Sequence, residues 1–273
     1  MTANALNFSN LRLAVLIDAE NIPRNCIKRV MEEIAIYGSP TIKRIYGDWT
    51  SPVVARWKAS LLENAITPIQ QYSYTQGKNS SDSAMIIDAM DILYSDKTDG
   101  FVIVSSDSDF TRLAIRLREA GQRVIGIGER KTPKAFIAAC DKFTYIEVIM
   151  NQAEPQEEAE TEDLHQSKPA NNSRQKSEKA SSKERVPGSE KAPDDIIELI
   201  ADSIADLMND SGAVFMGELG NLIIKKKPDF DCRNFGHKTL SSMIKSIDRF
   251  ETDFRHTTDP NIKHVFVRDK EAV

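Results

Sequence analysis

Cysteine is scarce in this chain: there are three in 273 residues, Cys26, Cys140 and Cys232. None stands at paired spacing, which argues against a zinc site or a disulfide framework and fits a reducing cytoplasm. Histidine is missing where a nucleophilic triad would need it. His165, His237, His256 and His264 all lie in the second half, so no Ser-His-Asp arrangement stands out in the first. No glycine-rich phosphate loop follows the first strand, which weakens a nucleotide-cofactor reading. No apolar run approaches membrane-spanning length, and the first residues lack a basic region followed by an apolar core. The expectation is a cytoplasmic protein without membrane attachment. A net charge of −5 does not advertise a nucleic-acid binder, although local patches can differ from the total.

What the chain does have is a set of short apolar β-branched runs that end in aspartate. Residues 100–110 read GFVIVSSDSDF. Phe101 to Val104 form an uninterrupted apolar run, as expected of a strand buried on both faces. Ser105 and Ser106 end it, and Asp107 and Asp109 follow at the start of a helical pattern through Leu113 and Leu117. Residues 11–21, LRLAVLIDAEN, repeat the arrangement, with Asp18 at the strand end and Pro23 suited to a helix first turn. Further strands are expected at 42–46, 67–74, 124–127 and 143–148. Helices are expected at 26–37, from Pro52 onward, at 83–94, after Asp109 and at 136–139. Such alternation through about 150 residues predicts an α/β domain with a mainly parallel sheet flanked by helices. The strand carboxyl ends then share one edge, where ligands bind in open sheets. Asp18, Asp48 and Asp107 fall at such ends, Asp109 lies just beyond one, and Asp82 begins a helix that can point back over the same edge.

Composition changes from Asn151 to Pro193, where large apolar residues almost vanish. Such a stretch cannot bury enough surface to offset its ordering entropy, so a disordered linker is expected over 151–193. Periodicity returns over 194–273, with helices at 194–207, 217–226 and 238–247 and two strands around Asp259-Pro260-Asn261. These elements make a small winged-helix domain. The expected division is therefore 1–150, 151–193 and 194–273.

Several carboxylates at one sheet edge need a counter-charge, and a hard divalent cation is the simplest one. Such an ion polarises a phosphoryl oxygen and lowers the pKa of water, which suits a phosphodiester substrate. Asn21 is a candidate for hydrogen-bonding a metal-bound water or a phosphate oxygen, or is simply the turn residue before Pro23. Asp48 is either a member of the set or a strand-end turn. Lys78, Arg130 and Lys131 are candidates for offsetting phosphate charge, or are exposed loop cations.

At these residues the chain resembles a known family. LIDAEN (16–21), GKNSSDSAMIIDAMDILY (77–94), GFVIVSSDSDF (100–110) and GERKTP (128–133) look like the NYN domain in its LabA-like branch, related to PIN nucleases. The resemblance implies a PIN-like α/β fold and RNA cleavage with Mg²⁺ or Mn²⁺. By motif match, Asp18, Asp82, Asp107 and Asp109 take the acidic metal positions and Asn21 the Asn position. Where many NYN sequences carry Gly before the first Asp of the GFVIVSSDSDF motif, this chain has Ser106. The stretch 214–247 is similar to the OST-HTH or LOTUS winged helix, which implies a module binding RNA or a protein partner. Its basic positions are Lys225, Lys226, Lys227, Arg233 and Lys238, although lysines at a helix C-terminus also suit the helix dipole. The reading is a ribonuclease with RNA as partner and a tethered module. A non-catalytic RNA-binding adaptor and an enzyme acting on DNA stay open, as does the oligomeric state.

Overall fold

In the computed structural model, residues 11–51, 56–72, 80–151, 192–208, 212–256 and 263–271 are described. The first domain is built from β1 (Leu11–Asp18), α1 (Ile27–Tyr37), β2 (Gly38–Gly47), α2 (Lys58–Asn64), β3 (Thr67–Gln70), α3 (Ser80–Tyr94), β4 (Gly100–Val104), α4 (Thr111–Glu119), β5 (Arg123–Gly128), α5 (Lys134–Ala139), β6 (Lys142–Tyr145) and α6 (Ile146–Met150). The strands form one six-stranded sheet in the order β3-β2-β1-β4-β5-β6. Every pairing is parallel. This is the parallel α/β sheet flanked by helices that the sequence predicts.

The order follows from apolar content. β1 and β4 are buried runs and take the centre. β3, the least apolar, takes one edge, and the four-residue β6 takes the other. Period-2 alternation along β1 sends Leu13, Val15 and Ile17 to one face, where Ile27, Val30 and Ile34 of α1, Leu61 of α2 and Ile149 of α6 pack. Ala14 and Leu16 go to the other face, with Phe101 and Ile103 of β4. There Met85, Ala89 and Ile92 of α3, Leu113 and Leu117 of α4 and Phe136 of α5 cover them. The order of strand addition reverses at the β1/β4 pair: β2 and β3 build outward one way, β5 and β6 the other. The crevice at the carboxyl ends of β1 and β4 is thus the topological switch point.

Two expectations are corrected here. The run 143–148 is not one strand: β6 ends at Tyr145 and α6 takes Ile146 onward, burying Ile146, Val148 and Ile149. α1 also runs directly into β2 at Gly38, so the strand begins four residues before Ile42. There a side chain would place its Cβ 2.4 Å from the Leu11 carbonyl oxygen, so only glycine fits. The expected strand end at 73–74 and linker residues 152–191 lie outside the described residues.

The second domain comprises α7 (Asp194–Leu207), β7 (Val214–Phe215), α8 (Met216–Lys226), α9 (Leu240–Lys245), β8 (Phe250–His256) and β9 (Lys263–Asp269). β8 and β9 make the antiparallel hairpin, and β7 adds to the outer side of β9 as a short third strand that sequence reading did not foresee. Ile196, Ile200, Ile204, Leu219, Ile223, Met243, Ile244 and Val267 form its core. Thr239 caps α9, its hydroxyl accepting from the Ser242 amide.

Candidate active site

The site grows out of three chain segments at the switch point. Asp18 closes β1 on the same face as Ala14 and Leu16, toward α3. It is 2 % exposed, and its carboxylate is held by four donors. The amides of Glu20 and Asn21 donate to Oδ1 at 3.0 and 3.3 Å. Asn21 Nδ2 and Ser105 Oγ donate to Oδ2 at 2.7 and 2.8 Å. The Ser105 contact follows from register: Ile17 pairs with Val104, so the next residues of the two strands meet. Asn21 therefore acts on Asp18, fixing its orientation.

The turn after β4 is tied internally. The Asp107 amide donates to Ser105 Oγ at 3.1 Å. Asp107 Oδ1 in turn accepts from the Asp109 amide at 2.9 Å, capping the short turn Ser108–Phe110. Ser106 Oγ accepts from the Glu129 amide at 2.8 Å, which ties the turn to the end of β5. Gly128 makes that approach feasible, since a Cβ there would sit 2.6 Å from the Ser105 carbonyl oxygen.

Asp82 comes from the first turn of α3. It lies one turn before Met85, Ala89 and Ile92, on the stripe the helix turns inward, which explains its burial. Burial first, then the charges of Asp18, Asp107, Asp109 and Glu20, raise its carboxyl from an ordinary 3.8 to about 6. The structure thus brings Asp18, Asp82, Asp107 and Asp109 into one electrostatic neighbourhood. Glu20, which the sequence reading passed over, joins them; its position two residues after Asp18 in DAEN was the available signal.

Other candidates are placed elsewhere. Asp48 is a turn residue: its Oδ1 accepts from the Thr50 amide and hydroxyl and from Gln70 Nε2. Lys78 lies outside the described residues. Lys131 pairs with Glu129 at 2.5 Å, and the Arg130 guanidinium reaches Asn234 Oδ1 at 3.2 Å. Lys226 pairs with Asp206 at 2.6 Å, and Lys227 lies 3.8 Å from Asp229. Lys225 and Lys238 are exposed. Arg233 departs most from a phosphate-contacting position, since its guanidinium is bound by Glu33 and Asp231.

Among the described residues, no group of three or more His, Cys, Asp or Glu is gathered into a set that would hold a metal ion as it stands. Asp18 and Asp107 instead turn oxygens toward backbone amides. In kind, the donors suit a hard cation, being carboxylate oxygens without sulfur or imidazole. The repulsion among Asp82, Asp18, Asp107 and Asp109 is what such a cation would relieve. Among the described residues no helix is long and apolar enough to cross a membrane.

Comparison with known proteins identifies two domain families in the chain. The NYN domain family matches residues 12–147, and the OST-HTH/LOTUS domain family matches residues 189–262. No curated protein matches the chain. Among solved structures, the chain is similar to a protein of unknown function from Vibrio parahaemolyticus. That structure is 18% identical with a TM-score of 0.43, and the match covers 54% of this chain and 96% of that one. It is also similar to an uncharacterized protein of Nitrosomonas europaea, 28% identical with a TM-score of 0.28, over 36% of this chain and 93% of that one. NYN domains are nucleases and OST-HTH domains bind RNA. The chain is an NYN-domain protein with a C-terminal OST-HTH/LOTUS domain.

Proposed function

We propose that this chain is a divalent-metal-dependent ribonuclease whose OST-HTH domain contributes RNA contacts. One observation carries the reading: carboxylates from three separate segments share the switch point, where burial and their charges together push Asp82 up to about 6. A fold gains no stability from such repulsion, and strongly perturbed acids in a crevice mark functional sites. Asp18, Asp82, Asp107 and Asp109 are the residues that would hold Mg²⁺ or Mn²⁺. When bound, the ion supplies charge neutralisation at a phosphodiester and an acidified water.

The chain's own part is positioning. Asn21 and Ser105 hold Asp18 in one orientation, so its carboxylate is not free to swing to solvent. The Ser105 and Ser106 hydroxyls anchor the turn that presents Asp107 and Asp109. Asp107 and Asp109 are less buried than Asp18 and Asp82, which leaves them accessible to a phosphate group. On the second domain, Lys225 and Lys238 are proposed as phosphate contacts, with Arg233 set aside.

The test is cleavage of end-labelled single-stranded RNA in Mg²⁺ or Mn²⁺, compared with the same reaction in EDTA and with labelled single-stranded DNA. The expected outcome is RNA cleavage that EDTA abolishes. RNA retained on a gel with no cleavage under any ion would replace the enzyme reading with a binding adaptor.

A further inference from the structure

The two domains meet along the outer edge of β6. The Phe143 amide, which would otherwise face solvent as an unpaired edge donor, donates to the Pro228 carbonyl at 2.9 Å. Lys142 is 8 % exposed, and its Nζ donates to the Phe230 carbonyl at 3.1 Å. Tyr145 Oη donates to Asp229 Oδ2 at 2.8 Å.

Behind this edge lies a closed set of charges. Arg233 grips Glu33 of α1 with both terminal nitrogens, Nη1 to Oε2 at 2.9 Å and Nη2 to Oε1 at 2.7 Å. The same guanidinium binds Asp231, Nη2 to Oδ2 at 2.6 Å. Tyr37 Oη donates to Glu33 Oε1 at 2.9 Å and shares a hydrogen bond with Thr144. Glu33, Asp231 and Lys142 are each less than a tenth exposed. Two carboxylates and two cations balance, and the bidentate fork is the geometry expected of a specific pair rather than a chance surface contact. Burial alone would push Glu33 and Asp231 up, yet Arg233 leaves both below their ordinary values.

The seat also reaches the acidic crevice. Arg130 stacks over the Tyr145 ring at 5.5 Å and donates to Asn234, while its amide donates to Glu147 Oε1. Its neighbour Glu129 donates its amide to Ser106, in the turn that carries Asp107 and Asp109.

We infer that the OST-HTH domain is seated on the β6 edge of its own chain through residues 228–234, with Arg233 as the positioning residue. Through Arg130 and Glu129, this seat steadies the turn bearing Asp107 and Asp109. This replaces the expectation of a freely tethered module. It holds whether or not the chain cleaves RNA.

Amide hydrogen exchange on the full chain, followed residue by residue by NMR, tests it. In the native protein the Phe143 and Glu129 amides are expected to be protected. Arg233→Ala and Glu33→Gln should each speed exchange at both amides by at least about tenfold, since breaking a buried pair strands its partner. Val102 and Ile103 in central β4 should stay protected, which reports that the domain remains folded. Arg233→Lys, which keeps charge but not the fork, should fall between. Unchanged protection of Phe143 in both variants would overturn the seat. Loss at Phe143 with Glu129 unaffected would overturn its link to the crevice. Protection that disappears on dilution would assign the seat to a second copy and overturn the intrachain reading.

Discussion

Replacing Asp82 by Asn should stabilise the metal-free protein, and the effect should depend on pH in one direction only. Asn has the shape of a protonated Asp and lacks the charge that burial and Asp18, Asp107, Asp109 and Glu20 oppose. A rise from 3.8 to about 6, at about 1.4 kcal/mol per pH unit, is roughly 3 kcal/mol before screening. The crevice opens to solvent, so about 1 kcal/mol is the figure to expect. The sign follows from linkage. A carboxyl raised in the folded state helps folding below its unfolded pKa, and that help is lost as pH rises through about 6. Wild type and Asp82→Asn should therefore melt together near pH 4. By pH 7.5 in EDTA the variant should melt about 2–4 °C higher. Added Mg²⁺ or Mn²⁺ should raise the melting temperature of wild type and leave the variant nearly unmoved. A variant that melts below wild type at pH 7.5 in chelator, or a difference that ignores pH, would refute the repulsion argument.

Other perturbations test separate parts of the account. Gly128→Ala would force a Cβ to within 2.6 Å of the Ser105 carbonyl oxygen and 2.7 Å of Thr132 Oγ1. Melting should show a loss of about 1–3 kcal/mol, and cleavage should fall with it because Ser105 moves from Asp18. Acid should loosen the domain seat. Glu33 and Asp231, facing Arg233, Lys142 and Tyr37, sit below their ordinary 4.5 and 3.8, so their stabilisation holds above those values and is lost as pH falls further. Small-angle scattering should show the particle expand below about pH 4, and an unchanged radius down to pH 3 would contradict it. Lys225→Ala and Lys238→Ala should each weaken RNA binding and reduce the salt dependence of log K by about one phosphate contact. Filter binding at several salt concentrations reads this, and an unchanged slope removes that lysine.

The crevice was legible in the sequence because each of its acids is attached to a local signal. Asp18 and Asp107 end buried β-branched runs, and Asp82 lies three residues before Met85 on a helix stripe. Parallel topology then brings the three together without any pairwise information. Boundaries were less legible where apolar residues serve either period. Ile146 and Val148 read as an extension of β6, yet the chain turns into α6 there because α1 offers a surface on which Ile146 and Ile149 pack. β7 is two residues long and exists only because β9 pairs with it. The domain seat left no sequence signal: Glu33 and Arg233 are 200 residues apart, and an arginine beside a lysine cluster reads as a phosphate contact until its partner is seen.

On the proposed function, the acids at the switch point perform RNA cleavage. The most direct measurement is cleavage of end-labelled RNA by wild type and by the Asp107→Asn/Asp109→Asn double variant, each in Mn²⁺, with RNA binding followed in parallel on gels. The double variant is expected to fold, to shift RNA still and to cut none. Cleavage that survives the double substitution would contradict it and move the chemistry away from the β1/β4 crevice.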